Sequence, residues 1–325
     1  MKEKLISIIK EAGEILKKGY FENKDVNFKG KKDLVTKYDL GIEEFLKEKF
    51  SNSFLDFNII AEESDNSKNE FYNSIIIDPI DGTTNFVNQV PHTAISVGVY
   101  KEKKPYIGIV YNPILDELYE ATVGEGAYLN GKKIHVSKEE DFQKSLIATG
   151  FPYTSGTCEE DLNDVILKIK KILPLCQDLR RLGSASLDLC YVARGVFDGY
   201  YEMNLKAWDV SAGLLIVREA GGKISNLAGD EYRIFEDKYM LATNGKIHEE
   251  LISSDEELLT TDHKDIFLVK SNNKQDSISS TGNFKVYEHN YGLYSSGVLS
   301  HTFGMQFAVS SAVPPATSDL IMAMD

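Results

Sequence analysis

Asp78 and Asp81 stand three residues apart in the stretch Asp78-Pro79-Ile80-Asp81-Gly82-Thr83-Thr84-Asn85-Phe86. The apolar run Ile75-Ile76-Ile77 ahead of them reads as a buried strand, which delivers Asp78 to its carboxyl end. Pro79 cannot continue a hydrogen-bonded ladder, so the chain is expected to turn there and to bring Asp81 close to Asp78. Two carboxylates that close repel each other unless a cation sits between them. Mg²⁺ takes hard oxygen ligands, and the Ile80 carbonyl between the two acids offers one more. Gly82 lets backbone approach a ligand closely. Thr83 and Thr84 read as a short helix start, whose free N–H groups suit a phosphate. The same residue types also fit a strand-end turn with a capping Asp.

Three further stretches could join this one. Ala61-Glu62-Glu63-Ser64 ends another short strand, Asn58 to Ala61. Glu62 could complete a metal shell and polarise a water, or sit in an exposed acidic turn. Asp209 opens the predicted helix Val210 to Ala220, where it reads equally as an N-cap. That helix is apolar enough to be buried, which points its start inward. Gly183-Ser184-Ala185-Ser186-Leu187-Asp188 places small residues at a helix start. They would admit a sugar or polyol to the backbone, or simply allow close helix packing.

The elements that must position these residues mix helices and strands throughout. Residues 4 to 19 carry Leu5, Ile8, Ile9, Ala12 and Leu16 at helical spacing, and a second helix begins near Asp39. From Thr93 to Val136 the pattern is hairpin-like, with Asn130-Gly131 as a tight-turn pair. Helices are read at 160 to 173, at Ser184 to Ala193 and at Val210 to Ala220, the last stopped by Gly221-Gly222. This is an α/β (α+β) architecture. Acidic residues number 50 against 36 basic ones over 325 residues, a formal charge of -14. No basic stripe stands out, which argues against nucleic-acid binding by phosphate neutralisation. Cys158, Cys176 and Cys190 form no metal or disulfide spacing. No signal peptide and no membrane-length apolar run is seen, so a soluble cytoplasmic protein is expected.

Together these stretches resemble the inositol monophosphatase family, within the superfamily of fructose-1,6-bisphosphatase. DPIDGTTNF is similar to that family's first signature and WDVSAGLLIVREAGG to its second. KKDLVTKYD, AEES, VYNPILDELYEATVGEGAYLNG, GSASLDLCYVARG and YYEMNLKAWD fit in order and spacing. The resemblance covers about residues 1 to 253 and is closest to the bacterial branch. It implies a layered α-β-α-β-α sandwich in two sub-domains, 1–135 and 136–253. It implies two to three Mg²⁺ ions: one on Glu62, Asp78 and the Ile80 carbonyl, and a second on Asp78, Asp81 and Asp209. A third, looser ion near Glu62 is also implied. Gly82 and Thr83 would bind phosphate, while Asp81, Gly183, Ser184, Ala185, Glu202 and Asp209 would meet the substrate. Glu62 with Thr83 would activate the attacking water, and Asp39 would support Thr83. The polar loop around Lys29 to Asp33 would be a mobile loop beside the metals, and the protein would be a homodimer.

The implied reaction is hydrolysis of a small-molecule phosphate monoester, inositol 1-phosphate first, without a covalent intermediate. Histidinol phosphate, fructose 1,6-bisphosphate and a nucleotide 3′-phosphate are alternatives, as is a transcription-complex binding protein of the same fold. Residues 254–325 match nothing in the resemblance. They are Ser/Asn-rich and loop-like around 271 to 283, with a short strand expected only at Phe284 to Tyr287.

Overall fold

The isoleucine run at Ile75–Ile77 does form a wholly buried strand, and the first half of the chain assembles around it. The computed structural model of the protein describes residues 1–22, 26–28, 34–64, 66 and 71–256, with five strands beyond them. Helix α1 (Lys2–Tyr20) buries Leu5, Ile8, Ile9, Ala12 and Leu16 along one face, as their spacing requires. Strands β1 (Val26–Phe28) and β2 (Leu34–Thr36) pair antiparallel, and the loop around Lys29 to Asp33 lies outside the described residues. Helix α2 (Lys37–Ser53) starts ahead of Asp39. Thr36 is its N-cap, and Asp39 returns the bond to close a capping box. The sequence hides that start because Asp fills the place usually held by Glu or Gln.

Seven strands follow one another across the first sheet: β3 (Asn58–Ala61), β4 (Ser74–Asp81), β5 (Ala94–Lys101), β6 (Lys104–Asn112), β7 (Glu117–Thr122), β8 (Gly126–Leu129) and β9 (Lys132–Lys133). Only β3 and β4 run parallel. Asn130 and Gly131 both have positive φ, 49° and 74°, which a hairpin turn of type I′ demands. The expected turn at Pro79 is corrected. β4 continues to Asp81, and its register against β5 shifts between Asp78, opposite Ser96, and Asp81, opposite Ala94. Three steps on β4 thus oppose two on β5. Such a bulge absorbs the N–H that Pro79 lacks and re-aims the acids that flank it.

Helix α3 (Thr83–Val87) follows β4 directly. The second sheet has the order β11-β10-β12-β14-β13, built from β10 (Leu146–Thr149), β11 (Asp178–Arg180), β12 (Gly199–Met203), β13 (Lys223–Ser225) and β14 (Tyr239–Thr243). Helices α4 (Glu159–Ile172), α5 (Ala185–Ala193), α6 (Ala207–Val210) and α7 (Gly213–Glu219) join its strands, and α8 (His248–Glu256) follows β14. The single helix expected from Val210 to Ala220 is therefore two, α6 and α7. Their junction, Ser211-Ala212, rests on bare backbone of the first sheet. A Cβ at Gly98 would lie 2.5 Å from the Ser211 hydroxyl, and one at Gly108 would lie 2.5 Å from the Ala212 carbonyl oxygen.

The cores show the layering. Helices α1 and α2 cover one face of the first sheet through Leu5, Ile9, Ile42, Ile77, Val97 and Ile109. Helices α5 and α7 fill the space between the two sheets, where Leu187 and Ile216 meet Val110 and Tyr119 on one side and Tyr200 and Ala242 on the other. Ile172 of α4 and Leu251 of α8 cover the far face of the second sheet against Ile147 and Leu241. The result is an α-β-α-β-α sandwich within one compact unit, Met1–Asp255.

Residues 256–325 form a second compact unit. It contains β15 (Asp265–Lys270), β16 (Ser277–Thr281), β17 (Phe284–His289), β18 (Met305–Ser310) and β19 (Asp319–Met324) in the antiparallel order β15-β19-β18-β17-β16. The Ser-rich segment read as loop is partly a strand, because Ser277–Thr281 pairs with Phe284–Glu288. Composition alone does not disclose such a partner. Among the described residues no helix is long and apolar enough to cross a membrane.

Candidate active site

Strand alternation decides where the first acid points. Ile75 and Ile77 enter the α1–α2 core, whereas Ile76 joins Ile60, Tyr100 and Ala207 on the opposite side. Asp78 shares the face of Ile76 and so looks toward α6, which carries Asp209. Glu62 follows β3, whose Ala61 lies opposite Ile77, and its amide bonds the Ile77 carbonyl at 3.2 Å. The Glu62 and Asp78 carboxyl groups share a hydrogen bond. Glu62, Asp78, Asp81 and Asp209, from three separate stretches of chain, line one cavity of about 800 Å³.

The electrostatics of this cluster are strained. Burial, together with the charges of Glu62, Asp81 and Asp209, pushes the Asp78 carboxyl well above the usual range. Burial does the same to Asp209, with Asp81, Glu62 and Glu202 adding to it and the Lys206 amide opposing it. Asp81 is also raised by burial, but three hydrogen bonds work against the rise. Its Oδ2 accepts from the Ser184 hydroxyl at 2.5 Å, the Ser186 amide at 2.7 Å and the Ser186 hydroxyl at 2.5 Å. Asp209 is not an N-cap. It sits at the third position of α6, where its Oδ2 takes the Lys206 amide at 2.7 Å.

A buried set of hard carboxylate oxygens that mutually raise their pKa values fits a divalent cation. Among the described residues, however, no three Asp, Glu, His or Cys side chains form a ready metal-binding group. The reason is visible in the bonds. Asp78 Oδ1 takes the Ile80 amide at 3.1 Å, and Asp81 and Asp209 each commit one oxygen to the protein. Like charges cannot close further without an opposing one between them.

Thr83 stands at the other end of the bulge. Its hydroxyl lies 3.0 Å from Asp39 Oδ1 and 3.1 Å from the Ile80 carbonyl, and one proton can serve only one of them at a time. Asp39 spends its other oxygen on the Thr36 amide and hydroxyl, which holds it rigid. Gly82 has φ +85°, a conformation only glycine adopts freely, and lies against the Gly183 carbonyl. Gly183, Ser184 and Ala185 line the same cavity, as does Glu202. Burial pushes the Glu202 carboxyl up to about 7, against a hydrogen bond from the Tyr200 hydroxyl.

Several residues of this site carry no role in the sequence reading. Ser186 is one. Asn85 is another, for its amide nitrogen lies 2.7 Å from the His92 carbonyl and 2.8 Å from that of Leu182, tying α3 to the loop before α5. His92 and Asp188 form a third feature, a buried pair at 3.1 Å. Asn85 stands inside the first signature stretch and Asp188 inside GSASLDLCYVARG, so their position was legible although their bonds were not.

Similarity to known proteins agrees with this geometry. The profile of the inositol monophosphatase family matches residues 1–260. The chain is 36% identical over 262 residues to the Nus factor SuhB of Pasteurella multocida, covering 80% of this chain and 97% of that one. It is 38% identical over 256 residues to inositol monophosphatase 3 of Solanum lycopersicum, covering 77% and 94%. The crystal structure of the extragenic suppressor protein suhB from Bartonella henselae superposes with a TM-score of 0.72 at 34% identity, covering 78% of this chain and 97% of that one. A match this long, with the layers and both signature stretches in place, establishes that the chain belongs to the inositol monophosphatase family.

Proposed function

We propose that residues 1–255 form a Mg²⁺-dependent phosphatase for a small-molecule phosphate monoester, inositol 1-phosphate first. The observation that carries this reading is the convergence of Glu62, Asp78, Asp81 and Asp209 on one cavity. Glu62, Asp78 and the Ile80 carbonyl would hold one ion, and Asp78, Asp81 and Asp209 another. Bound Mg²⁺ would neutralise phosphate charge and make water a better nucleophile at neutral pH. The chain's own residues do the positioning. Backbone amides at Gly82 and Thr83 would seat the phosphate at the start of α3. Thr83 would orient the attacking water, with Asp39 fixing its hydroxyl, and Glu62 would take the proton. Glu202, Gly183 and Ala185 would face the leaving alcohol.

Phosphate release from inositol 1-phosphate, fructose 1,6-bisphosphate, histidinol phosphate and adenosine 3′,5′-bisphosphate, with Mg²⁺ and with EDTA, tests this reading. Release that EDTA abolishes supports it, and the preferred ester names the substrate. The name of the Pasteurella relative, a Nus factor, carries a second reading, in which the same fold binds a transcription complex. Co-purification of RNA polymerase with the tagged protein, unaffected by loss of the acids, would support that instead.

Two further outcomes follow from the electrostatics. The carboxyl groups of Asp78, Asp81, Asp209 and Glu202 are all raised. A raised carboxyl contributes stability that is full below its unfolded value and is lost as pH rises through its folded one. Without metal, the melting temperature is therefore expected to fall as pH rises from the ordinary carboxylate range to neutral. The Glu202 part of that loss builds up as pH rises from the ordinary carboxylate range and is nearly complete once pH passes about 7. Mg²⁺ is expected to restore most of it, and a flat profile in EDTA would contradict the cluster's strain. Ser186→Ala is expected to weaken Mg²⁺ affinity about tenfold, as removal of bonds that orient a metal ligand does. Calorimetric titration of both proteins with Mg²⁺ measures this directly.

A further inference from the structure

The cavity is larger and less uniformly acidic than a polyol monophosphate requires. Its volume of about 800 Å³ lies in the range that encloses a drug-sized ligand. Beyond the carboxylate end its lining includes Phe151, Tyr153, Arg181 and Phe235. Of the cations there, Lys238 is already paired with Asp161 at 3.2 Å. Lys206 is exposed and has no seat of its own. Arg181 differs from both. Its guanidinium carbon lies 5.2 Å from the centre of the Phe151 ring. Its Nη1 lies over Gly183, only 2.5 Å from where a Cβ would stand. Gly183 in turn abuts Gly82, the start of the proposed phosphate seat. No carboxylate among the described residues forms an ion pair with Arg181, although its charge is felt by Glu202 and Asp188. A guanidinium placed by a ring and a glycine, and left without an acid partner, is an anion-binding group in waiting.

We propose that Arg181 forms a subsite for a second anionic group on the leaving alcohol, so that the site favours phosphate esters carrying another phosphate or a carboxylate. The inference rests on the phosphatase reading above and moves its preferred substrate from inositol 1-phosphate to an ester with a second anionic group. Gly183 has a specific part here, because any side chain at that position would push the guanidinium off its seat. Phe151 holds the guanidinium within cation–π distance of its ring, 5.2 Å from the centre.

The test compares two esters that differ only in the second phosphate, fructose 1,6-bisphosphate and fructose 1-phosphate. Phosphate release with Mg²⁺ gives kcat/KM for each in the full-length wild type, Arg181→Ala and Arg181→Lys. In the wild type the bisphosphate is expected to be favoured by about tenfold to a hundredfold, the scale of charge-assisted hydrogen bonds. Arg181→Ala is expected to bring that ratio close to one by raising KM for the bisphosphate while fructose 1-phosphate is handled as before. Arg181→Lys keeps the charge without the fork and is expected to fall between. Arg181 is exposed, so its loss leaves the core intact, and an unchanged thermal melt verifies this. Turnover of both esters with no wild-type preference, or with a preference that Arg181→Ala retains, overturns the subsite alone. Turnover of neither fructose ester by a wild type that releases phosphate from inositol 1-phosphate overturns the subsite alone, whereas release from none of the esters, the earlier panel included, overturns the phosphatase reading and the subsite with it.

Discussion

Asp81→Asn is expected to fold normally and to release phosphate at least about a thousandfold more slowly than the wild type, the scale on which loss of a central catalytic group is felt. The substitution keeps size and shape. The amide oxygen of the new side chain can still accept the hydroxyl protons of Ser184 and Ser186, which now reach Asp81 at 2.5 Å each. What disappears is a negative charge that the ion held by Asp78, Asp81 and Asp209 would need. The same charge raises Asp78 and Asp209. Its removal relieves repulsion, so the metal-free variant is expected to melt no lower than the wild type, and higher above neutral pH. Rates with saturating Mg²⁺ and melts in EDTA read the two effects separately. Activity within tenfold of wild type would take Asp81 out of the chemistry.

Gly108→Ala should act from outside the site and damage both stability and turnover. No substrate reaches Gly108, which lies in β6 beneath the junction of α6 and α7. A Cβ there meets the backbone of Ala212: its carbonyl oxygen at 2.5 Å, and its carbonyl carbon and Cα at 3.2 Å. Backbone cannot swing aside as a flexible side chain can, so α7 must lift from the sheet. Overpacking of this kind costs about 1–3 kcal/mol. Asp209 rides on α6, immediately before the lifted junction, and a shift of about 1 Å in a catalytic position can cost about a hundredfold in rate. A lowered melting temperature together with reduced kcat is the expected pair of results. An unaltered melt would show that the contact at Gly108 is looser than the structure has it.

The two sites of damage illustrate what the sequence discloses and what it withholds. Asp78, Asp81, Glu62 and Asp209 could be named together in advance because the stretches that hold them resemble one family's, while local pattern alone left Glu62 as an acidic turn and Asp209 as an N-cap. Local pattern reached the helix faces of α1 and α2 and the hairpins that follow β5, where one periodicity runs unbroken. It did not reach the bulge at Pro79, since a missing N–H is compatible with either a turn or a bulge until the partner strand is known. Nor did it split the helix after Val210, where the break is set by Gly98 and Gly108 on strands a hundred residues earlier. The serine bonds to Asp81 span 103 and 105 residues. Nothing local to Ser186 marks it as more than a small helical residue. The strands beyond residue 256 were hidden for a similar reason, because pairing rather than composition makes Ser277–Thr281 a strand.

The central claim is that these four acids hold divalent cations at one end of the cavity. The most direct measurement is anomalous diffraction from crystals of the protein soaked in Mn²⁺, a Mg²⁺ substitute whose electrons mark its position. The account requires at least two anomalous peaks in the cavity, with the Asp78 carboxylate reaching both, Glu62 and the Ile80 carbonyl on one, and Asp81 and Asp209 on the other. Well-soaked crystals with no peak among Glu62, Asp78, Asp81 and Asp209, or with Mn²⁺ bound only elsewhere, would contradict it.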